Sequence, residues 1–275
     1  MSNYQTQQGT NAFSLAGKTI IATGAGSGFG RQAALQFAEA GAAVACLDLN
    51  GDAAHAVAEE IVASGGSARA FVADVSSADD VQGAVTGTVD WTGRIDALFA
   101  SAGMSGHGTA ASVAEEEWRR VIDVNLKGTW LCAKYVLPVM LEAGRGSIIN
   151  VASIAALVGI KDNFSYTAAK GGVVAMTREM AADFGSTGVR VNVICPGTVP
   201  TALLLASRRA KVIAEGATDV EAAVAENLRR SAEAYPAGRL GTVQDIANIA
   251  VFLASDASQW VTGQTFAVDG GYTAV

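Results

Sequence analysis

The sequence predicts an α/β fold built on a parallel sheet, and three observations carry that prediction. Short β-branched runs alternate with Ala-rich segments of helical period, the pattern of repeated βα units. Two of the runs, Ile95–Ala100 and Gly146–Ala152, are apolar without alternation, as central strands covered on both faces are. A glycine-rich stretch, Thr23–Gly30, follows the first apolar run directly and opens the first helical segment. With 275 residues, half of them apolar, the chain can bury a substantial core, and one domain is the default expectation.

Taken in order, the strands and helices read as follows. Lys18–Thr23 is the first strand and Gly28–Ala40 the helix after it. Val44–Asp48 is the second strand, followed by an Ala-rich helix from about Asp52 to Ala63. Ala70–Ala73 is a third strand and Ala78–Thr92 a third helix. Between the strands Ile95–Ala100 and Gly146–Ala152 a single long helix is expected over Val113–Leu141. A helix over Tyr166–Phe184 leads into a strand at Arg190–Cys195, and Thr265–Val268 is the last strand, for at least seven in all. The weakly patterned, charged insertion Val199–Tyr235 reads as two helical pieces. The expected domain spans 15–275, after a loose leader over 1–14. The first ten residues are Gln- and Thr-rich, without the basic start or apolar core of a signal peptide.

Charge and cysteine usage exclude several classes. A net charge of −7 argues against a nucleic-acid partner, which would need Lys and Arg concentrated on one face. No apolar stretch has both spanning length and clean flanks, so no membrane partner is expected. Cys46, Cys132 and Cys195 are odd in number and sit in apolar runs, where they read as small core residues in a reducing, cytoplasmic compartment. Two scattered histidines, including His107 in a Gly-rich loop, provide no metal-ligand spacing, and no metal is expected.

The glycine stretch carries the first piece of chemistry. A turn between a strand and a helix N-terminus directs backbone N–H groups and the positive end of the helix dipole at an anion, and a pyrophosphate fits there. The spacing is G-x-x-x-G-x-G, so read alone it would also suit a tight turn with only a packing role. Asp48, at the end of the second strand, adds support. There a carboxylate can accept hydrogen bonds from the adenosine ribose hydroxyls and repel a 2′-phosphate, which favours NAD over NADP. Without the glycines Asp48 would read equally well as a capping or turn residue.

A second cluster lies more than a hundred residues later. Tyr166 and Lys170 are four apart on a helical segment and project from one face. A tyrosine titrates near about 10, and a neighbouring ammonium favours its phenolate. Placed beside an alcohol, that phenolate takes the hydroxyl proton; in reverse, the phenol protonates a developing alkoxide. Ser153, just past a strand end, would hold the substrate oxygen. A lone Y-x-x-x-K usually marks an ordinary helix with one buried Tyr and one exposed Lys; here the glycine turn changes the balance.

In combination these residues resemble the short-chain dehydrogenase/reductase family, and the likeness runs from Lys18 to Tyr272. Gly24, Ser27, Gly28, Phe29 and Gly30 are similar to the family's cofactor turn, with Asp48 and Leu49 beyond the second strand. Asp74 and Val75 resemble its adenine contact, and Ser101-Ala102-Gly103 its Asn-Ala-Gly element, with Ser in place of Asn. Phe29 also replaces a usual aliphatic residue. Pro196, Gly197, Val199 and Thr201 resemble the stretch that embraces the nicotinamide carboxamide. Val268-Asp269-Gly270-Gly271 resembles the closing strand and turn.

The resemblance implies a Rossmann-type, doubly wound sheet of seven parallel strands in the order 3-2-1-4-5-6-7, with helices on both faces. It implies Tyr166 as the acid/base and Lys170 as the group that lowers the Tyr166 pKa and binds the nicotinamide ribose. Ser153 then orients the reacting oxygen, and Asn125 anchors a water in the proton relay. Tyr166 and Lys170 thus count among the cofactor contacts as well. A homotetramer formed through Val113–Leu141 and Tyr166–Phe184 is implied, and 199–235 would form a substrate lid. The expected activity is NAD-dependent interconversion of a secondary alcohol and a ketone on a small substrate: a sugar acid, hydroxy acid, polyol or cyclic alcohol. Pro236–Gly241 and the C-terminus also resemble 3-oxoacyl-(acyl-carrier-protein) reductases, against which Asp48 and the long insertion speak. A non-catalytic nucleotide-binding protein on the same scaffold is the remaining reading.

Overall fold

A computed structural model of the chain describes residues 11–275. Seven strands form one parallel sheet in the order β3-β2-β1-β4-β5-β6-β7. They are β1 (Thr19–Thr23), β2 (Ala43–Asp48), β3 (Ser67–Val72), β4 (Ala97–Ala100), β5 (Gly146–Val151), β6 (Val189–Pro196) and β7 (Thr265–Val268). The central strands β1 and β4 are buried at every position, whereas edge strand β3 is not. That contrast is the apolar-run signal of the sequence turned into geometry.

Helices cover both faces. On one, α1 (Gly28–Glu39) and α9 (Val243–Ala254) pack Phe37, Ile246 and Leu253 with Ile20, Val44 and Phe99 from the sheet. On the other, α3 (Ala78–Thr92) and α5 (Gly128–Ala143) bury Val81, Val136 and Met140 with Leu98 and Ile148. α2 (Gly51–Ala63) adds Val57 and Ile61 to the first of these cores. α6 (Phe164–Phe184) lays Val173 and Val174 against Val193 of β6. No helix among the described residues is long and apolar enough to cross a membrane.

The chain departs from the sequence expectation at three places. The long helix expected over Val113–Leu141 is α4 (Glu115–Ile122) and α5 joined through a π-helical turn at Asp123–Lys127. Helix α9 was not expected. Its start is a capping box, in which Thr242 Oγ1 accepts from the Asp245 N–H and Asp245 accepts from the Thr242 N–H. Most of the expected leader lies outside the described residues. Its end does not dangle: the Ala257 N–H donates to Ala12 O at 3.1 Å, and the Phe13 ring lies 6.3 Å from that of Phe252.

The insertion between β6 and α9 folds as α7 (Ala202–Ala214) and α8 (Val220–Glu233), in two pieces as the sequence indicates. The order of the sheet fixes where a ligand can enter. The chain winds outward from β1 to β3, then crosses back to β4 on the other side of β1, so the loops after β1 and β4 diverge and leave a crevice at the strands' C-terminal ends.

Candidate active site

The crevice is a cleft of about 870 Å³. Its floor is the glycine turn, and two of the glycines there have conformations that L side chains rarely adopt, Gly24 at φ +66° and Gly28 at φ +53°. Gly30 is required for a different reason. A Cβ at that position would lie 2.1 Å from Gly24 O, so only glycine lets α1 begin this close to the end of β1. Ser27 is the N-cap of α1 in extended backbone, and its hydroxyl makes no capping bond. The start of α1 therefore keeps unpartnered N–H groups and a positive end at the cleft.

Ser27–Gly30 and Gly24 line the cleft together with Asp48, Leu49, Asp74, Val75, Ser101, Ala102, Gly103 and Thr201. Asp48 closes one end. Its Oδ2 accepts from the Gly26 N–H at 2.8 Å and its Oδ1 from the Asn50 N–H at 2.9 Å, so the carboxylate is oriented by the glycine turn itself. Leu49 beside it is 70% exposed, an apolar surface open to a flat ring. Asp74 is held by the Ser76 N–H and hydroxyl at 2.8 and 2.7 Å. The Ser101 hydroxyl donates to Thr23 O at 2.6 Å, and Thr23 Oγ1 accepts from the N–H groups of Ser101 and Ala102, both at 3.1 Å. Serine in place of asparagine thus still ties β4 to β1.

Five of the residues expected to contact cofactor do not line the cleft: Tyr166 and Lys170, which lie beyond it, and three of the β6 stretch. Val199 is 5% exposed and belongs to the core between the sheet and α9. Pro196 is buried as the last residue of β6. Gly197 packs so closely on Asp269 that a Cβ would lie 2.9 Å from its Cα. The β6 stretch reaches the cleft only at Thr201, whose hydroxyl accepts from the Leu204 N–H at 3.3 Å and caps α7.

Ser153 and Tyr166, both half-buried, and the buried Lys170 form a group beyond the inner end of the cleft, joined to it through Gly103. A Cβ on Gly103 would lie 2.7 Å from Asn125 Oδ1 and 3.6 Å from Lys170 Nζ. Lys170 is 3% exposed, its ammonium donates to Val151 O at 2.8 Å, and it stands 5.7 Å from the centroid of the Tyr166 ring. Burial pushes the Lys170 pKa down to about 8, with Cys195 acting in the opposite direction. Burial likewise pushes the Tyr166 phenol up, against a hydrogen bond from Ser153 that lowers it. Desolvation of the phenolate is the largest cause at Tyr166, and the Lys170 ammonium donates to the Val151 carbonyl.

Asn125 sits in the π turn and is fully buried. Its Nδ2 donates to Met104 O at 3.0 Å and to Val121 O at 3.1 Å, while Oδ1 accepts from the Met104 N–H at 3.2 Å. Its backbone carbonyl accepts from Thr129 Oγ1 at 2.8 Å. The side chain therefore fixes the loop after β4, the one that carries Gly103.

Sequence reasoning missed the opposite wall of the cleft. Met104, Arg119, Arg120 and Asp123 line it from the β4 loop and α4, and Leu203 from α7. The run Glu115–Arg120 signals an exposed helix, and nothing in its spacing indicates which face meets a cleft. His107, in the Gly-rich loop, has its Nε2 3.3 Å from Ser207 Oγ, which links the β4 loop to α7.

Residues 24–273 match the family model described as enoyl-(acyl carrier protein) reductase. The chain belongs to the short-chain dehydrogenase/reductase family. Among relatives of this short-chain dehydrogenase/reductase is 2-(S)-hydroxypropyl-CoM dehydrogenase 3 of Xanthobacter autotrophicus, 40% identical over 95% of this chain and 98% of its own length. A 2,5-dichloro-2,5-cyclohexadiene-1,4-diol dehydrogenase of Sphingobium indicum is 40% identical over 95% and 99%. A solved structure described as an NAD(P)-dependent gluconate 5-dehydrogenase from Beutenbergia cavernae, with NADP bound at low occupancy, superposes with a TM-score of 0.86 at 37% identity, over 96% of this chain and 100% of that one.

Proposed function

We propose that this short-chain dehydrogenase/reductase interconverts a small secondary alcohol and its ketone with NAD, using Tyr166 as the acid/base. The observation that carries the reading is that the Ser153, Tyr166 and Lys170 group is joined through Gly103 to a cleft floored by the glycine turn. The cleft fits a dinucleotide. The close approach at Gly30, the open N-terminus of α1 and the oriented Asp48 carboxylate form a cradle for a pyrophosphate and an adenosine ribose.

When bound, the nicotinamide supplies or accepts the hydride. The protein's part is to hold and move the proton. Ser153 orients the substrate oxygen towards the Tyr166 hydroxyl. That phenol gives its proton to the oxygen of a ketone under reduction, or as phenolate takes it from an alcohol. Lys170, held by Val151 O, supplies positive charge to the pair and reaches the cleft beside Gly103. Asn125 keeps the β4 loop in register, and a water at its backbone would extend the proton path.

Asp48 supports NAD over NADP, because its carboxylate stands where a 2′-phosphate would bring a like charge. The relatives' printed activities, on a hydroxypropyl group and a cyclohexadiene diol, suit a secondary or cyclic alcohol. Exposed Trp130 and Phe164 on α5 and α6 support the expected homotetramer. Three buried free thiols suit a cytoplasmic setting.

The test is nicotinamide absorbance during turnover with NAD and with NADP on sugar acids, hydroxy acids, polyols, cyclic alcohols and the matching ketones. Tyr166→Phe should cost roughly 10²–10⁴ in kcat and leave dinucleotide affinity in place. Unchanged turnover in that variant would sink the mechanism, and binding without turnover across the panel would favour the non-catalytic reading. A carrier-linked ketoreductase, the alternative that Pro236–Gly241 and the C-terminus resemble, requires NADPH preference and activity on a ketoacyl thioester.

A further inference from the structure

The segment that carries α7 and α8 leaves the body of the protein at Thr198 and returns at Tyr235. These two residues are bonded to each other: Tyr235 Oη accepts from the Thr198 N–H and donates to Thr198 Oγ1, both at 2.7 Å. The Thr198 carbonyl is taken as well, by the Gly241 N–H at 3.0 Å. The three polar atoms of Thr198 are thus all held by residues on the far side of the segment.

Tyr235 is itself fixed. It is 5% exposed, and its ring lies 5.1 Å from that of Tyr272 in the C-terminal turn. A Cβ on Gly197 would come within 3.0 Å of the Tyr235 ring, so glycine there lets the ring close over the chain. The Ala237 N–H donates to Gly270 O at 3.0 Å and binds the return strand to the same turn.

What Thr198 positions is a wall of the cleft. Thr201, three residues on, caps α7 and stands across from Gly28, where a Cβ would meet Thr201 Cγ2 at 3.5 Å. Thr201 and Leu203 both line the cleft. Farther along α7 the contact from the β4 loop is a single exposed one, His107 to Ser207. The root of the segment is therefore tight and its middle lightly held.

We propose that Tyr235 is a positioning residue: its hydroxyl pins Thr198 so that Thr201 and Leu203 are held against the glycine turn. This rests on the reading of the cleft as a dinucleotide site and adds that the α7–α8 segment is set on it from its root. The energetics follow from the two bonds. Tyr235→Phe keeps the ring and its packing but leaves the half-buried Thr198 N–H without an acceptor.

The experiment compares the wild-type protein with Tyr235→Phe by the rate of tryptic cleavage at the exposed Arg209, Lys211, Arg229 and Arg230, without ligand, and by the Kd of NAD and NADH. Both quantities should change about tenfold in the variant, faster cleavage and weaker binding, because a local opening of this size is what losing both half-buried bonds to Thr198 permits. Cleavage and Kd within about twofold of wild type would overturn the proposal, even with a lowered Tm, since a merely structural tyrosine moves only the Tm. If Tyr235→Phe does not fold, Thr198→Val removes one bond and keeps the other. It should speed cleavage by about threefold, and wild-type cleavage there overturns the proposal equally. If the wild-type protein binds neither dinucleotide, the functional reading fails, and the cleavage rates still decide the role of Tyr235.

Discussion

Replacing Lys170 with Met tests the buried pair through its stability and not its turnover. Lys170 has almost no contact with water, and burial brings its pKa from an ordinary 10.5 down to about 8. Between these values the unfolded chain holds the proton and the folded chain does not. The folded state therefore bears the cost of a buried ammonium below about pH 8, and stability rises as pH climbs from there towards 10.5. At about 1.4 kcal/mol per pH unit, the gain from about pH 8 to about pH 10 is roughly 3 kcal/mol.

Other groups titrate in the same range with the opposite sign. Burial pushes the thiols of Cys46 and Cys132 up to about 12 and that of Cys195 up to about 11, and Tyr166 is raised as well. In the unfolded chain they ionise first, so their contribution to stability is lost as pH rises through about 9. Those of Cys46 and Cys132 are common to both proteins and cancel in the difference; Cys195, whose thiol the Lys170 charge lowers, is replaced by Ala in both proteins. The assay is urea unfolding of these two proteins, with Lys170 and with Lys170→Met, at intervals from pH 7.5 to 10. The stability of the Lys170 protein relative to the variant should rise by about 1.4 kcal/mol per pH unit above about pH 8. Parallel curves would refute the claim that Lys170 is buried with a lowered pKa.

Two further substitutions probe the cleft. Gly30→Ala places a methyl 2.1 Å from Gly24 O and 2.5 Å from its carbonyl carbon, which no side-chain movement relieves. It should cost about 1–3 kcal/mol in urea unfolding and weaken dinucleotide binding by about tenfold or more, and wild-type values would mean the turn is not a tight cradle. Asp48→Ala should narrow the preference for NAD over NADP in kcat/KM, but it also removes the acceptor of the Gly26 N–H. Asp48→Asn keeps an oxygen for that bond and discards the charge. A narrowed preference in both variants assigns discrimination to the charge, and an unaltered one in both means Asp48 does not face the ribose.

The parts of the site legible in the sequence are those where spacing maps onto regular structure. Tyr166 and Lys170 are neighbours because α6 has a helical period, and Gly24, Gly28 and Gly30 mark the turn because no other residue fits their backbone or their space. Helix α9 escaped because it is apolar over most of its surface. Ile246, Ala247 and Leu253 are buried, and Ile249, Val251 and Phe252 are packed on the core, so the polar stripe is only Gln244 and Asn248 in the first half, too short to mark a helical period. The π turn at Asn125 was hidden for the opposite reason, since it interrupts the backbone pattern without interrupting the helix. Val199 was assigned to the cleft with its neighbours, yet a stretch leaving a strand turns successive side chains to different faces, and Val199 faces the core.

The sign of the Tyr166 shift also places a limit on how the site rests. Desolvation disfavours the phenolate of Tyr166 and the ammonium of Lys170 alike, so burial does not favour moving a proton from one to the other. Tyr166 therefore rests as the neutral phenol, the form that can donate to a developing alkoxide. To act as a base it must be deprotonated against burial, which calls for positive charge close to the phenol oxygen. The Lys170 ammonium lies 5.7 Å from the Tyr166 ring centroid, and at 2.8 Å from the Val151 carbonyl it is held by a neutral acceptor and keeps its charge for the site. An acidic partner for Lys170 would have neutralised that charge. The backbone carbonyl fixes the ammonium in place and leaves its field directed at Tyr166.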